Sequence, residues 1–197
     1  MMARYTKIPA DAFRKLQLNA AILLSDFDPA DGSFEAADQL GATTGGVKFS
    51  AVPAYTDLGA NIDNCPKNTM ELKRLDSWEA KAAGTFVTMD TAAARSLLGA
   101  ADLSGSDTSR VVPRSSVKDT DFTDVWLVGD YSDQNGAQHG GYLAIHLRNA
   151  LSSGGFRIES GDRAKGQFDF TYLAHYTLSQ PDSVPFELYI KAGTAEV

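Results

Sequence analysis

The chain is poor in the residues that carry most protein chemistry. One cysteine, Cys65, stands among 197 residues. That excludes an intrachain disulfide and gives no sign of an oxidising compartment. Histidine occurs three times, as His139, His146 and His175. No two of them have the spacing of a metal site. Positive charge is in deficit, with 18 Lys and Arg against 25 Asp and Glu, a net charge of −7. Nucleic-acid affinity comes largely from counterion release by Lys and Arg, so tight binding to DNA or RNA is not expected. No run approaches the ~20 apolar residues of a membrane helix. The N-terminal MMARYTKIPADAFRKL lacks the apolar core of a signal peptide. A soluble protein made in the cytoplasm is expected.

What remains is an ordinary globular composition, 43% hydrophobic and 22% charged. A chain of this length should bury roughly 70% of its unfolded surface without a metal or disulfide staple. One domain over 1–197 is expected, with an N-terminal arm at about 1–15 and a long protruding loop at about 26–46. The run Leu16 to Leu24 puts Leu16, Leu18, Ala20, Ile22 and Leu24 on one face at period two, which predicts a strand. The turn formers Asp26 to Gly32 end it. In GGVKFSAVPAY, Val47, Phe49, Ala51 and Tyr55 alternate with Lys48 and Ser50 until Pro53 interrupts. A proline confines a strand to an edge or a bulge, and an exposed edge invites pairing with another chain.

Residues 70–89 predict one or two strands, with Trp78, Ala80, Ala82, Gly84 and Phe86 on one face. The period then changes. Asp90 is a good N-cap, the following alanines favour helix, and Gly99 is a plausible stop, so a helix is expected over 90–98. Residues 101–123 are polar and loop-like. The remainder predicts hairpins: 125–129 against 142–147 about Asn135-Gly136, a strand within 166–176, and a last strand at 186–190. The fold expected is mainly β, a sandwich or half-barrel of antiparallel strands with one flanking helix.

Motifs for chemistry are weak. Asp26, Asp28 and Asp31-Gly32 suggest a calcium loop, but the glycine is one residue late and Ala37 stands where Glu is needed. A solvated turn explains them better. Cys65 lacks a histidine nearby in sequence. GDRAKGQ lacks the spacing of a phosphate-binding loop. The carboxylates Asp119, Asp121, Asp124, Asp130 and Asp133 could flank a glycosidic bond only if two faced each other across about 5–10 Å. Solvated loop charge is the default reading. No catalytic, cofactor-binding or metal-binding residue is assigned, and an enzyme is not expected.

Taken in order, LQLNAAILLSDFDP, GATTGGVKFSAVPAYTDLGANIDNCPKNT, LKRLDSWEAKAAGTFVTM, VWLVGDYSDQNG and GGYLAIHLRNALSSGGFRIESGDRAKGQFDF resemble the major tail proteins of long-tailed bacteriophages and prophages of Gram-positive bacteria. The resemblance covers roughly 15–180 and rests on pattern and order. It implies a tail-tube subunit, monomeric before assembly, that forms hexameric rings. The rings stack into a tube around a tape-measure protein, between tail-tip or baseplate and tail-terminator proteins. Double-stranded DNA would pass through the channel without specific binding, and the protein would reside in the virion tail. Contractile and non-contractile tails fit alike. On this reading Asp26, Phe27, Asp28, Phe34, Val47, Phe49, Pro53 and Tyr55 are expected at subunit interfaces. The proline-marked strand would complete its ladder on a neighbour, and the 26–46 loop would bridge rings. The alternative is a carbohydrate-binding β-sandwich module using Trp126, Tyr131 and Tyr142.

Overall fold

In a computed structural model, residues 15–131 and 140–193 are described. The expected arm over about 1–15 lies, except for Lys15, outside them, as does Asn135-Gly136. Ten strands and one α-helix occur among the described residues: β1 (Gln17–Leu24), β2 (Gln39–Gly41), β3 (Thr43–Asp57), β4 (Lys73–Phe86), α1 (Thr91–Leu98), β5 (Ala101–Ser104), β6 (Asp107–Pro113), β7 (Thr123–Tyr131), β8 (Gly141–Ser152), β9 (Phe168–Leu173) and β10 (Phe186–Lys191). All the pairings are antiparallel. The fold is a mainly β sandwich with one helix.

One layer runs β2-β1-β7-β8-β10 and the other β8-β9-β4-β3, and β8 belongs to both. Its first part pairs with β7 and β10, and its end, Leu151 and Ser152, pairs with β9. The strand changes layer at Asn149, which adopts φ 49°. Asp124 holds that bend by accepting from Asn149 N at 3.0 Å, with His146 Nε2 2.9 Å from its other oxygen.

The main core lies between the layers. Ala21, Leu23, Val125, Leu127, Ile145 and Leu147 face Ala80, Ala82, Phe86, Phe170 and Tyr172. Gly84 permits this packing, since a Cβ there would sit 2.7 Å from Phe170 Cζ. α1 forms where expected. Asp90 Oδ1 accepts from Ala93 N at 2.7 Å, and Gly99 stops the helix at φ 72°. The helix lays Leu97 into the core and sets Ser96 Oγ 2.8 Å from Tyr172 Oη.

Two expectations are corrected. β1 does not keep one apolar face. Its register shifts between Leu18 and Ile22, and Asn19 adopts φ 59°. Ala21 and Leu23 therefore enter the main core, whereas Ile22 and Leu24 join a second cluster with Phe27, Trp126 and Ala144. The 101–123 stretch is a hairpin, β5-β6, followed by a 3-10 turn at Asp119–Asp121. It reads as loop because a small, largely exposed hairpin needs no apolar alternation. Arg114 ties it to the turn through the buried Asp121, and Arg114 Nε lies 2.9 Å from Asp102 Oδ2. Burial works to raise the Asp121 pKa. Donation from Lys118 N and pairing with Arg114 outweigh it, and the pKa is lowered.

Candidate assembly surface

β3 and β4 pair along their whole length, but β9 covers β4 only from Lys81 to Phe86. Beyond that point the two strands continue as a two-stranded arm. Its base is pinned where Ala174 N donates to Ala80 O at 2.9 Å and Trp78 N donates to Tyr176 Oη at 2.9 Å. The Trp78 and Phe186 rings meet edge-to-face at 5.5 Å and close the core there. The core-side face of β3-β4 pairs Phe49 with Ala82, Ala51 with Ala80 and Pro53 with Trp78, then runs on to Tyr55 with Leu75. An apolar stripe thus begins inside the sandwich and leaves it.

The arm is ordered by its own polar groups. At the bulge between Ala54 and Tyr55, Thr56 Oγ1 and Arg74 Nε both donate to Asp76, which lowers its pKa. At the tip, Asp57 accepts from Asn68 N at 2.9 Å and Gly59 N at 3.0 Å. These two bonds, Asn68 first, lower its pKa. Gly59 is buried against Leu72 and Cys65, and a Cβ would meet Leu72 Cδ1 at 2.8 Å. Yet the apolar side chains are only partly covered by the described residues. Val52, Tyr55, Leu58, Ile62 and Leu75 are about half exposed and Met70 is 79% exposed. Hydrophobic groups on a self-ordered but only partly covered element mark an interaction site more often than a fold requirement.

β3 is the terminal strand of its layer, the position that Pro53 implied. The eight residues expected at interfaces do not form one surface. Pro53 and Tyr55 belong to the arm. Val47 and Phe49 are partly buried and pack on the main core. Phe27 is buried in the second cluster, against Trp126 at 5.5 Å and Tyr142 at 5.1 Å. It is thus a core residue of the chain itself. Asp26, Asp28 and Phe34 are exposed beside it.

The 26–46 segment is not a free loop. Asp28 bridges Ser33, a 3-10 turn spans Ala36–Asp38, and β2 pairs with β1. Tyr142 Oη donates to Pro29 O, and Lys191 Nζ donates to Ala30 O at 2.9 Å. Asp26, Asp28 and Asp31 each accept a backbone N–H within this turn. Periodicity is missing because Phe27 anchors the segment across a sheet face and local carboxylates do the rest. Sequence reading missed Leu58, Ile62, Met70 and Leu75. The available signal was a set of scattered apolar residues inside a stretch otherwise built of turn formers.

Chemistry-bearing groups are dispersed. No cluster of three His, Cys, Asp or Glu able to hold a metal occurs among the described residues. Asp121 pairs with Arg114, Asp124 with His146, and Asp130 accepts from Asn19 Nδ2 at 2.7 Å. Asp133 lies outside the described residues. Of the three aromatics of the carbohydrate reading, Tyr131 is half-buried at the end of β7 and the other two are not displayed. Trp126 is buried and stacked on His146 at 3.9 Å, and Tyr142 is half-buried beneath Pro29. No helix among the described residues is long and apolar enough to cross a membrane. No protein-family model and no curated protein matches the chain.

Proposed function

We propose that the chain is a structural, self-assembling subunit, the tail-tube protein of a long-tailed bacteriophage or prophage. The observation that carries this reading is the β3-β4 arm. It is a two-stranded ribbon with ordered polar contacts and partly covered apolar residues. Isolated two-stranded ribbons are marginal in water and gain stability by packing on something else. A long terminal strand is normally a liability, but it becomes a joint in an assembly. The sequence resemblance supplies the identity of the assembly: hexameric rings stacked into a virion tail tube around a tape-measure protein. Tail-tip and terminator proteins would bound the tube, and DNA would pass without specific binding.

Negative-stain electron microscopy of the purified protein at high concentration, with its mass in solution, tests this. Rings or tubes with an open channel are expected. Persistent monomers even with tape-measure and tail-tip proteins would overturn it. The 26–46 segment has its own test, because stacking by subunits shortened there would remove it as the inter-ring joint. Selective binding on a glycan array would favour the carbohydrate module instead.

A further inference from the structure

The outer face of the β3-β4-β9 layer holds a cavity of about 450 Å³. Phe49, Ala82 and Tyr172 pack on or in the main core, so alternation turns their neighbours Lys48, Ala83 and Thr171 outward. These three stand side by side across the strands, and Ala83 makes a low floor between Lys48 and Thr171. The next row, Thr44, Thr85 and Asp169, forms one wall. Between the rows β3 carries a bulge. Gly45 and Gly46 stand opposite no residue of β4, adopt φ 72° and 78°, and leave their Cβ positions in open space. Bare backbone therefore lines that side of the cavity. Arg157 arrives from the connection between β8 and β9. Ser153 N donates to Thr171 O at 2.8 Å and Gly154 packs on Thr171, which holds that connection against β9.

The charge of the cavity runs against that of the chain. Its lining holds two cations, Lys48 and Arg157, and one carboxylate, Asp169, in a protein of net charge −7. Arg74, Lys81, Arg114, Lys118 and Arg148 are each paired with a carboxylate. Among the described residues neither Lys48 nor Arg157 has an ion-pair partner. Asp169 accepts instead from Thr85 Oγ1 at 2.8 Å. We propose that this cavity binds the phosphate group of a small molecule. Arg157 supplies the planar fork and Lys48 the point charge that phosphate recognition uses. Thr44 and Thr171 add hydroxyl donors. A carboxylate ligand has two oxygens to offer and would leave more of these donors unused. Asp169 on the wall opposes any anion, so the binding is weak and its strength is set by the balance of the three charges. The inference is independent of the assembly reading.

Phosphorus NMR of pyrophosphate titrated with the purified protein at low salt tests this. A saturable shift is expected for the wild type. Arg157→Gln and Lys48→Gln should each weaken binding about tenfold, the effect of losing one charge-assisted hydrogen bond. Lys165→Gln makes the same charge change at an exposed site outside the lining and should leave binding unchanged. Asp169→Asn removes the opposing charge, keeps an acceptor for Thr85 and should tighten binding. All four positions are exposed, and a cooperative thermal transition checks each fold. A short DNA duplex, the other source of phosphate, forms the second arm. Duplex binding without pyrophosphate binding overturns the cavity, because exposed charge alone would then be at work. A wild type that leaves the pyrophosphate signal unmoved overturns it too, as does a loss in Lys165→Gln equal to that in Lys48→Gln. None of these outcomes bears on whether the chain assembles.

Discussion

The body of the sandwich and its β3-β4 arm use the same two strands in opposite ways. From Thr43 to Ala51 the inward residues of β3 meet a second layer, and their partners Ala80, Ala82 and Phe86 on β4 are buried. A few residues further on, the same inward face carries Tyr55 and Leu75 into the open. Local propensity is similar in both halves. What differs is the presence of an opposing layer. The body is stabilised by burial within the chain, at roughly 25 cal/mol per Å² of apolar surface. The arm holds its shape through hydrogen bonds to Asp57 and Asp76 and leaves its apolar surface only partly covered. The two halves should therefore answer mutation differently, the body through stability and the arm through association.

The largest effect is expected in the body. Phe86 is fully buried and lies 4.3 Å, centroid to centroid, from Phe170. Phe86→Ala should cost about 3–5 kcal/mol, read as a lowered midpoint in urea. A loss below about 1 kcal/mol would show that the interlayer core is not what holds the body. Next comes the helix that closes the core. Asp90→Ala removes the acceptor for Ala93 N and should cost about 1 kcal/mol, with little change on Asp90→Asn. In the arm, Met70→Ser should move monomer stability by less than about 0.5 kcal/mol, because the side chain is already in solvent. Its effect belongs in the assembly measurement, and a large fall in the melting temperature of the monomer would erase the distinction between the two regions.

The sequence reading succeeded where a residue pattern has one physical cause. Alternation placed Ala80, Ala82 and Phe86 on the buried face of β4, and the Asp90 cap with its alanines and Gly99 marked α1 to within a residue. Pro53 marked a terminal strand, because a missing donor is tolerated there. It failed where two causes overlap. β1 is buried on both faces, so a bulge at Asn19 could redirect its side chains without an apolar signal being lost. Phe27 looked like a loop aromatic free to bind a partner, yet it seals the second cluster. Burial there depends on a segment folding back over β7 and β8, a long-range event that local composition does not encode. The arm was half legible. Pro53 and Tyr55 pointed to it, but its length shows only in register, where β3-β4 pairing continues past the last residue β9 covers.

The smallest effect expected lies at the tip of the arm, and its sign follows from Asp57. The bonds from Asn68 N and Gly59 N favour the carboxylate and hold its pKa below the ordinary aspartate range. A group whose pKa is depressed by folding contributes its stability above the unfolded value of about 3.9, and loses it as pH falls through the folded one. The tip should therefore be insensitive to pH between 5 and 8 and loosen only below about pH 4. Asp57→Asn should abolish that acid step and leave the tip slightly looser at neutral pH, since an amide presents one acceptor where the carboxylate presents two. Cys65 supplies the readout. It is the sole thiol of the chain, it sits at the tip, and its Sγ packs against the Gly59 position. Maleimide reacts with thiolate, whose fraction falls with pH, so rates compare wild type with Asp57→Asn at each pH. The variant should label faster at pH 7, and the two rates should converge as pH falls through the lowered pKa of Asp57. Equal rates at pH 7 would mean that Asp57 does not order the tip, and the arm would then owe its shape to the strand pairing alone.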